Sequence, residues 1–253
     1  MRYLVLCYHD VAPKGVPSGF QSPDAETYKM SVDRFQEHLQ AIAGRRSESP
    51  FQVLLTFDDG GVGACYTADA LEGAGCRGYF FITSNLIGRP GFLNPAQIAD
   101  LHRRGHVIGS HGATHRGRMS RMPAETLAAE WSQSVAALSG IAGAPIRTGS
   151  VPSGFYAPRV AQAAASEGLR QIFTQEPTTQ AKEAHGCEVV GRFTMRSWTP
   201  SSRVAALVRG DFFPRLEDAT LWRLRNVAKS AGGSFYTELR RAYYHHRFPE
   251  RVS

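Results

Sequence analysis

Short apolar runs that end on polar, chemistry-bearing residues recur along this 253-residue chain, with helical periodicity between them. Tyr3 to Tyr8 closes on His9-Asp10, Phe51 to Phe57 closes on Asp58-Asp59, and His106 to Ser110 leads into His111. Gly78 to Thr83, Arg147 to Val151, Gln171 to Thr174 and Glu188 to Phe193 read as further strands. Helices fall between them over Ser31 to Ile42, Ala64 to Glu72, Asn94 to Arg103, Ala124 to Leu138 and Pro158 to Glu167, with Ser31 and Asn94 as caps. Strand, helix, strand, with polar groups collecting after the strands, is the pattern of a parallel α/β protein. Seven or so strands without a dinucleotide fingerprint favour a barrel over an open sheet, and barrels carry their catalytic groups at the C-terminal strand ends. After Ser201 the pattern is helical (Arg203 to Val208, Ala219 to Lys229, Phe235 to His245) with a break at Gly232-Gly233. The chain therefore divides into a barrel over residues 1–200 and a basic helical extension over 201–253 packed against it.

A hydrophobic content of 42% supports a full core, and 20% charged residues mark an ordinary globular chain. The net charge is +7, much of it late: Trp222-Arg223-Leu224-Arg225, Glu238-Leu239-Arg240-Arg241 and His245-His246-Arg247. Such runs form a solvated helix face or a surface for anionic glycans, phospholipid head groups or an acidic partner. No nucleic-acid motif or interleaved aromatic pattern accompanies the charge, so nucleic acid is not an expected partner. Cys7, Cys65, Cys76 and Cys187 form no CxxC pair, which argues against a structural zinc site or a disulfide framework. The apolar run at the N-terminus is too short for a signal h-region or a membrane span, which leads to the expectation of a cytoplasmic protein.

The chemistry concentrates in Thr56-Phe57-Asp58-Asp59-Gly60 and Ser110-His111-Gly112-Ala113-Thr114-His115. A catalytic zinc commonly has three protein ligands from His and carboxylate and an open fourth position. Asp59, His111 and His115 match that count, and the same set also suits non-haem Fe(II). The i, i+4 spacing places both imidazoles on one side of a helical turn or a tight loop. Asp58, beside a ligand but across the backbone, is then free to act as general base. The bland alternative makes Asp58-Asp59 a helix N-cap pair and the histidines ordinary loop residues. His9 and Asp10 also end a strand and could line the same mouth or serve in capping. His106 reads as structural, and His185, His245 and His246 as loop or terminal residues.

These residues resemble the polysaccharide deacetylases with a NodB homology domain, carbohydrate esterase family 4. The resemblance rests on Thr56-Phe57-Asp58-Asp59-Gly60, on Gly105 to His111 and on Thr114-His115. Leu6 to Val11, Tyr79 to Ile82 and the Pro152-Ser153-Gly154 turn match in order, so it spans roughly residues 3 to 200. It implies a distorted (β/α)7 barrel in which Asp58 is the base and Asp59, His111 and His115 hold a divalent metal, commonly zinc. The implied reaction is hydrolysis of an N-acetyl, less often O-acetyl, group of a glycan. The backbone N–H of Ser153 would help to stabilise the oxyanion.

The chain departs from the family's pattern at three places. Ser150 occupies the position, two before Pro152, where many members carry a base-orienting Arg. That Arg's acidic partner has no match around Phe173-Thr174, and the late Leu-x-His that supplies a general acid is replaced by Val189-Val190-Gly191-Arg192-Phe193. Arg192 cannot donate a proton at neutral pH, since its pKa stays above ~12; we place it among the substrate contacts with His9, Asp10 and Pro152. The reading is a metal-dependent deacetylase of a glycan or sugar intermediate in bacterial surface-polysaccharide biosynthesis, with peripheral membrane contact through the basic tail. The alternatives are a non-catalytic glycan-binding relative and a barrel hydrolase of small amides.

Overall fold

The computed structural model describes residues 2–227. Seven parallel strands follow one another around a curled sheet: β1 (Tyr3–Tyr8), β2 (Gln52–Phe57), β3 (Gly78–Ile82), β4 (Val107–Ser110), β5 (Thr148–Ser150), β6 (Gln171–Phe173) and β7 (Cys187–Val190). A short strand, Lys182–Ala184, pairs antiparallel with β7 at one edge. At the other edge Phe193–Thr194 pairs with β1. Gly191 and Arg192 alone carry the chain from β7 to that pairing, and so bridge the two edges of the curl. Only glycine fits at 191, where a Cβ would lie 2.2 Å from the Glu176 carbonyl oxygen. The strand expected to run unbroken from Glu188 to Phe193 is interrupted here for that reason.

The period of two along each strand separates two cores. Tyr3, Val5, Leu54, Phe81, Phe173 and Val190 fill the interior of the curl. Leu4, Leu6, Val53, Leu55, Phe57 and Phe80 face the other way, into the larger core beneath the helices. Those helices are α1 (Val32–Ala43), α2 (Gly63–Gly73), α3 (Pro95–Arg103), α4 (Ala124–Ala142) and α5 (Pro158–Ser166). The Ser31 hydroxyl accepts from the Arg34 N–H and caps α1, and Asn94 with Gln97 forms a capping box on α3. Two further helices follow, α6 (Ser201–Arg209) and α7 (212–227). Val204, Leu207 and Val208 of α6 are buried, and α6 packs against α1. Helix α7 begins seven residues before the start at Ala219 expected from sequence, because Pro214 falls in its first turn, where proline is tolerated. The helix expected over Phe235 to His245, the end of the one over Ala219 to Lys229, and the basic residues from Glu238 onward lie outside the described residues.

The interior has no room to spare at Gly109, where a Cβ would lie 2.5 Å from Phe81 Cδ1 and 2.7 Å from Thr148 Oγ1. Gly109→Ala should therefore cost about 1–3 kcal/mol by overpacking, read from the urea unfolding midpoint; an unchanged midpoint would show slack in the interior.

Candidate active site

Continuing the inward-facing positions past the strand ends builds the site. Tyr3, Val5 and Cys7 lead to His9, and Leu54 and Thr56 lead to Asp58. The two strands stay in register to Tyr8 opposite Phe57, and the Asp58 N–H donates to the Tyr8 carbonyl. On β4, Gly109 leads to His111; on β5, Thr148 leads to Ser150; and Val190 leads to Arg192. The same alternation would turn Asp59 away, but its φ of 78° swings it back beside Asp58. A non-glycine residue held at positive φ is a strained conformation of the kind found at functional sites.

Asp59 Oδ1 lies 3.4 Å from His111 Nε2 and 3.2 Å from His115 Nε2. This oxygen is buried and makes no hydrogen bond, and the three potential ligand atoms lie within 4.8 Å of one another. The histidines sit in an irregular loop, not on a helical turn, and His115 has a φ of 57°. Glu130, buried on the inner face of α4, holds that loop: Thr114 donates to it through its N–H at 2.9 Å and through its hydroxyl. Phe20 lies against His115 at a ring-centroid distance of 4.8 Å and forms an aromatic edge with Phe92.

A hydrogen-bonded chain connects His111 to Asp58. His111 Nδ1 lies 2.5 Å from Ser150 Oγ and 3.2 Å from the Ser150 carbonyl, and the Ser150 hydroxyl donates to Asp58 Oδ1 at 3.2 Å. This pattern assigns the proton to His111 Nδ1 and leaves the Nε2 lone pair pointing at Asp59. Asp58 is fully enclosed and receives both ends of the Arg192 guanidinium, Nη1 to Oδ1 at 2.7 Å and Nη2 to Oδ2 at 2.8 Å. Arg192 also donates from Nε to the Thr174 carbonyl at 3.1 Å and from Nη1 to Thr56 Oγ1 at 3.3 Å.

Arg192 thus does not face substrate as expected. It has no exposed surface and lies behind Asp58, committed to it. The guanidinium absent from position 150 enters from the opposite side of the curl. Burial pushes the Asp58 carboxyl up, but the Arg192 charge and hydrogen bonds together with His111 and His9 outweigh it and hold Asp58 below the usual range. Burial likewise opposes ionisation of Asp59, and its pairing with the two imidazoles overcomes this, leaving it well below the usual range.

His9 lies in the electrostatic reach of Asp58, Asp59, Arg192 and His111, with burial holding its imidazole below the ordinary value. Its Nδ1 is buried without a hydrogen-bond partner, and the ring lies against Tyr28 at a centroid distance of 4.4 Å, tilted by 32°. Asp10 points elsewhere. Its Oδ1 accepts from the Ser18 hydroxyl at 2.6 Å, and that hydroxyl in turn accepts from the Gly63 N–H at 2.7 Å. Glycine is required around it: Cβ atoms at Gly19, Gly61 and Gly63 would come within 2.4–2.7 Å of its oxygens. Asp10 ties the 18–19 loop to the start of α2. Pro152 is buried, and Ser153, at a φ of 57°, adjoins the histidine loop, with its Oγ 3.4 Å from where a Gly117 Cβ would stand. His106 is structural: its Nδ1 accepts from the Gly78 N–H at 3.1 Å. Sequence reading missed Glu130, whose only signal is a carboxylate on the apolar face of Leu127, Trp131, Ser134 and Leu138.

A parallel barrel that brings two histidines and two carboxylates together beyond its strand ends has the layout of a hydrolase. The family model described as polysaccharide deacetylase matches residues 25–172, more than half of the chain, and the protein belongs to that family. Among curated proteins none matches. Among solved structures it is similar to a polysaccharide deacetylase from Bacillus cereus (TM-score 0.67, 16% identity, covering 82% of this chain and 69% of that one). It is similar to the Streptococcus pyogenes deacetylase PplD in complex with acetate (0.65, 17%, covering 82% and 98%). It is also similar to IcaB from Ammonifex degensii (0.63, 22%, covering 82% and 97%). At these identities the likeness shows the fold, a deacetylase (β/α)7 barrel.

The buried pair makes a testable demand. Arg192→Met strands an unpaired carboxylate and should cost about 3–5 kcal/mol in urea unfolding, much of it recovered in Asp58→Asn/Arg192→Met; additive losses would show that the two are not coupled. Burial raises Asp10 from 3.8 to about 6, so the folded state binds more protons than the unfolded between those values. Stability should rise by about 2–3 kcal/mol as pH falls from about 6 to about 4, relative to Asp10→Asn, in which that increment is absent.

Proposed function

We propose that the protein is a metal-dependent deacetylase that removes N-acetyl, or O-acetyl, groups from a glycan or sugar intermediate. The observation that carries the reading is the buried Asp59 oxygen without a hydrogen bond, flanked by two imidazole Nε2 atoms, beside a carboxylate locked by arginine. Family membership supplies the class of bond and substrate: an amide hydrolase acting on acetylated polysaccharide. PplD is described in complex with acetate, the acid that such a reaction releases.

The donor set fits a divalent ion, and zinc is the reading we favour. Asp59, His111 and His115 would hold it, with the His111 tautomer fixed by Ser150 and the His115 loop fixed by Glu130. When bound, such an ion supplies Lewis acidity, which polarises the amide carbonyl and acidifies water.

The chain's own groups supply the rest. Asp58 Oδ2, 4.0 Å from His111 Nε2, takes the proton of the attacking water; Arg192 keeps it ionised and fixes its orientation. The Ser153 backbone N–H stabilises the oxyanion, and Pro152 shapes the wall beside it. As the C–N bond breaks, the proton that Asp58 took from the water passes to the leaving amine, and the His9 imidazole, kept neutral by burial, stands on the strand next to Asp58 as a contact for the sugar. The products are acetate and a free amino sugar. Phe20 and Phe92 supply an apolar edge for the sugar beside His115.

We place the reaction in bacterial surface-polysaccharide biosynthesis, on the cytoplasmic side, with peripheral membrane contact through the basic residues after 200. The decisive measurement is acetate release from an N-acetylated oligosaccharide by zinc-loaded protein. Chelation should abolish turnover and zinc restore it. Asp58→Asn should lower kcat about 10²–10⁴-fold while zinc content, measured by atomic absorption, stays at the wild-type level. Full turnover by Asp58→Asn would falsify the role given to that residue.

A further inference from the structure

One side of the barrel mouth is basic. The loops that follow β3, β4 and β5 (residues 83–94, 111–123 and 151–157) hold Arg89, Arg116, Arg118 and Arg121 and no Asp or Glu. Two of these arginines adjoin the reacting groups, and both are exposed. Arg116 directly follows His115. Arg118 lies over the Phe155 ring at 5.9 Å, one residue beyond the Pro152-Ser153-Gly154 turn. Between the two arginines, Gly117 packs beside Ser153, where a Cβ would stand 3.4 Å from the Ser153 Oγ. The loop that carries them is fixed. Arg118 has a φ of 62°, a left-handed conformation that a side chain resists and that persists where neighbours over-determine it. Here the Arg121 N–H donates to the Arg118 carbonyl at 2.8 Å, the Ser120 N–H donates to the Phe155 carbonyl at 3.2 Å, and Met119 is fully buried.

The chain does not supply the counter-charge. Arg34, Arg104, Arg203 and Arg209 pair with carboxylates, whereas Arg116 and Arg118 pair with none among the described residues. Glu130, the carboxylate that α4 turns toward this loop, is buried and committed to Thr114. Glu125, in the first turn of α4, forms no ion pair with them. The residues after 227 hold five Lys or Arg against two Glu, so they add to the positive excess rather than cancel it. An anion carried by the substrate suits this position, because it would reach the arginines as the acetyl group reaches His115 and the Ser153 N–H. A guanidinium binds carboxylate or phosphate through two N–H groups at once, and one held on a fixed loop loses little freedom in doing so.

We propose that Arg116 and Arg118 form a subsite for an anionic group, a carboxylate or a phosphate, on or next to the acetylated sugar, so that the protein prefers acidic N-acetylated glycans to neutral ones. This rests on the deacetylase reading and adds the class of glycan to it. The test compares a neutral N-acetylhexosamine oligomer, an oligomer in which a uronic acid alternates with the N-acetylhexosamine, and the neutral oligomer carrying a phosphate. Binding is measured by calorimetry on the zinc-loaded Asp58→Asn protein, which suppresses turnover, and acetate release is measured on the wild type. At least one acidic oligomer should bind about tenfold more tightly than the neutral one, and which of the two does so identifies the anion. The preference should fade as salt rises from about 0.01 M to about 1 M and the screening length shrinks from about 30 Å to about 3 Å. Adding Arg116→Gln/Arg118→Gln should bring the acidic-to-neutral ratio close to one, and Arg116→Lys/Arg118→Lys should keep most of it, which separates lost charge from a disturbed histidine loop. Equal binding of all three oligomers, or a preference that survives in the Gln variant, overturns the proposal. Acetate release that is best from the neutral oligomer also overturns it and leaves the deacetylase reading in place. Salt-sensitive, arginine-dependent binding of an acidic oligomer with no acetate released from any of the three would keep the anion subsite and count against the deacetylase reading alone.

Discussion

The bidentate pair between Arg192 and Asp58 joins the two halves of this molecule's problem, closing a barrel and holding a buried carboxylate in the candidate site. Both groups are fully enclosed, and neither could be charged there without the other: removing one partner of such a pair commonly costs 3–5 kcal/mol. The guanidinium spans from the Thr174 carbonyl on one wall to Thr56 on another, so it ties together strands that are remote in sequence. It enters from the two-residue bridge that carries the chain across the edges of the curled sheet. The carboxylate at the end of β2 is therefore oriented only when the last strand segment has docked on β1. Ser150 completes the arrangement by linking the same carboxylate to His111, so that Asp58 and His111 share a hydrogen-bonded frame.

Around this pair, local geometry does what strand alternation cannot. Alternation brings His9, Asp58, His111 and Ser150 to the interior, each as the next inward position beyond its strand. Asp59 and His115 need positive φ to reach the same space, at 78° and 57°. Strain of that kind persists only where surrounding contacts over-determine it. Glu130 supplies them for the histidine loop, through its hydrogen bonds from Thr114. The glycines at 61 and 63 serve a neighbouring purpose, letting Asp10 and Ser18 close the turn that follows Asp59.

Much of this was legible in the sequence. The apolar runs were short enough and the intervening helices amphipathic enough to give strand order and barrel class, and the polar residues at the run ends marked the residues that the fold gathers into the candidate site. What was not legible was direction across the barrel. Arg192 stands 134 positions from Asp58, and nothing in the pattern Val189 to Phe193 says that a guanidinium there turns inward behind a carboxylate; that depends on the break in pairing at Gly191. Glu130 was hidden among the apolar residues of α4, where a lone carboxylate reads as noise in the periodicity. Helix α7 began early because a proline that stops a helix interior is accommodated in a first turn. The sign of its amphipathicity, with Phe213 and Leu224 exposed, requires knowing which face meets the barrel.

The alternation that lines the curl with Tyr3, Val5, Leu54, Phe81 and Phe173 has an implication for what sequence drift can change. Because the chemical groups sit one step beyond the lining, side-chain parity and the site form a single inherited quantity. Gaining or losing one residue inside a strand would send the lining and its reactive terminus to the helix side together. Substitution within a strand carries no such penalty so long as size and polarity suit the side that it faces. A barrel of this kind can exchange most of its residues, as the 16–22% identities with its structural neighbours illustrate. Strand length, counted modulo two, has far less freedom.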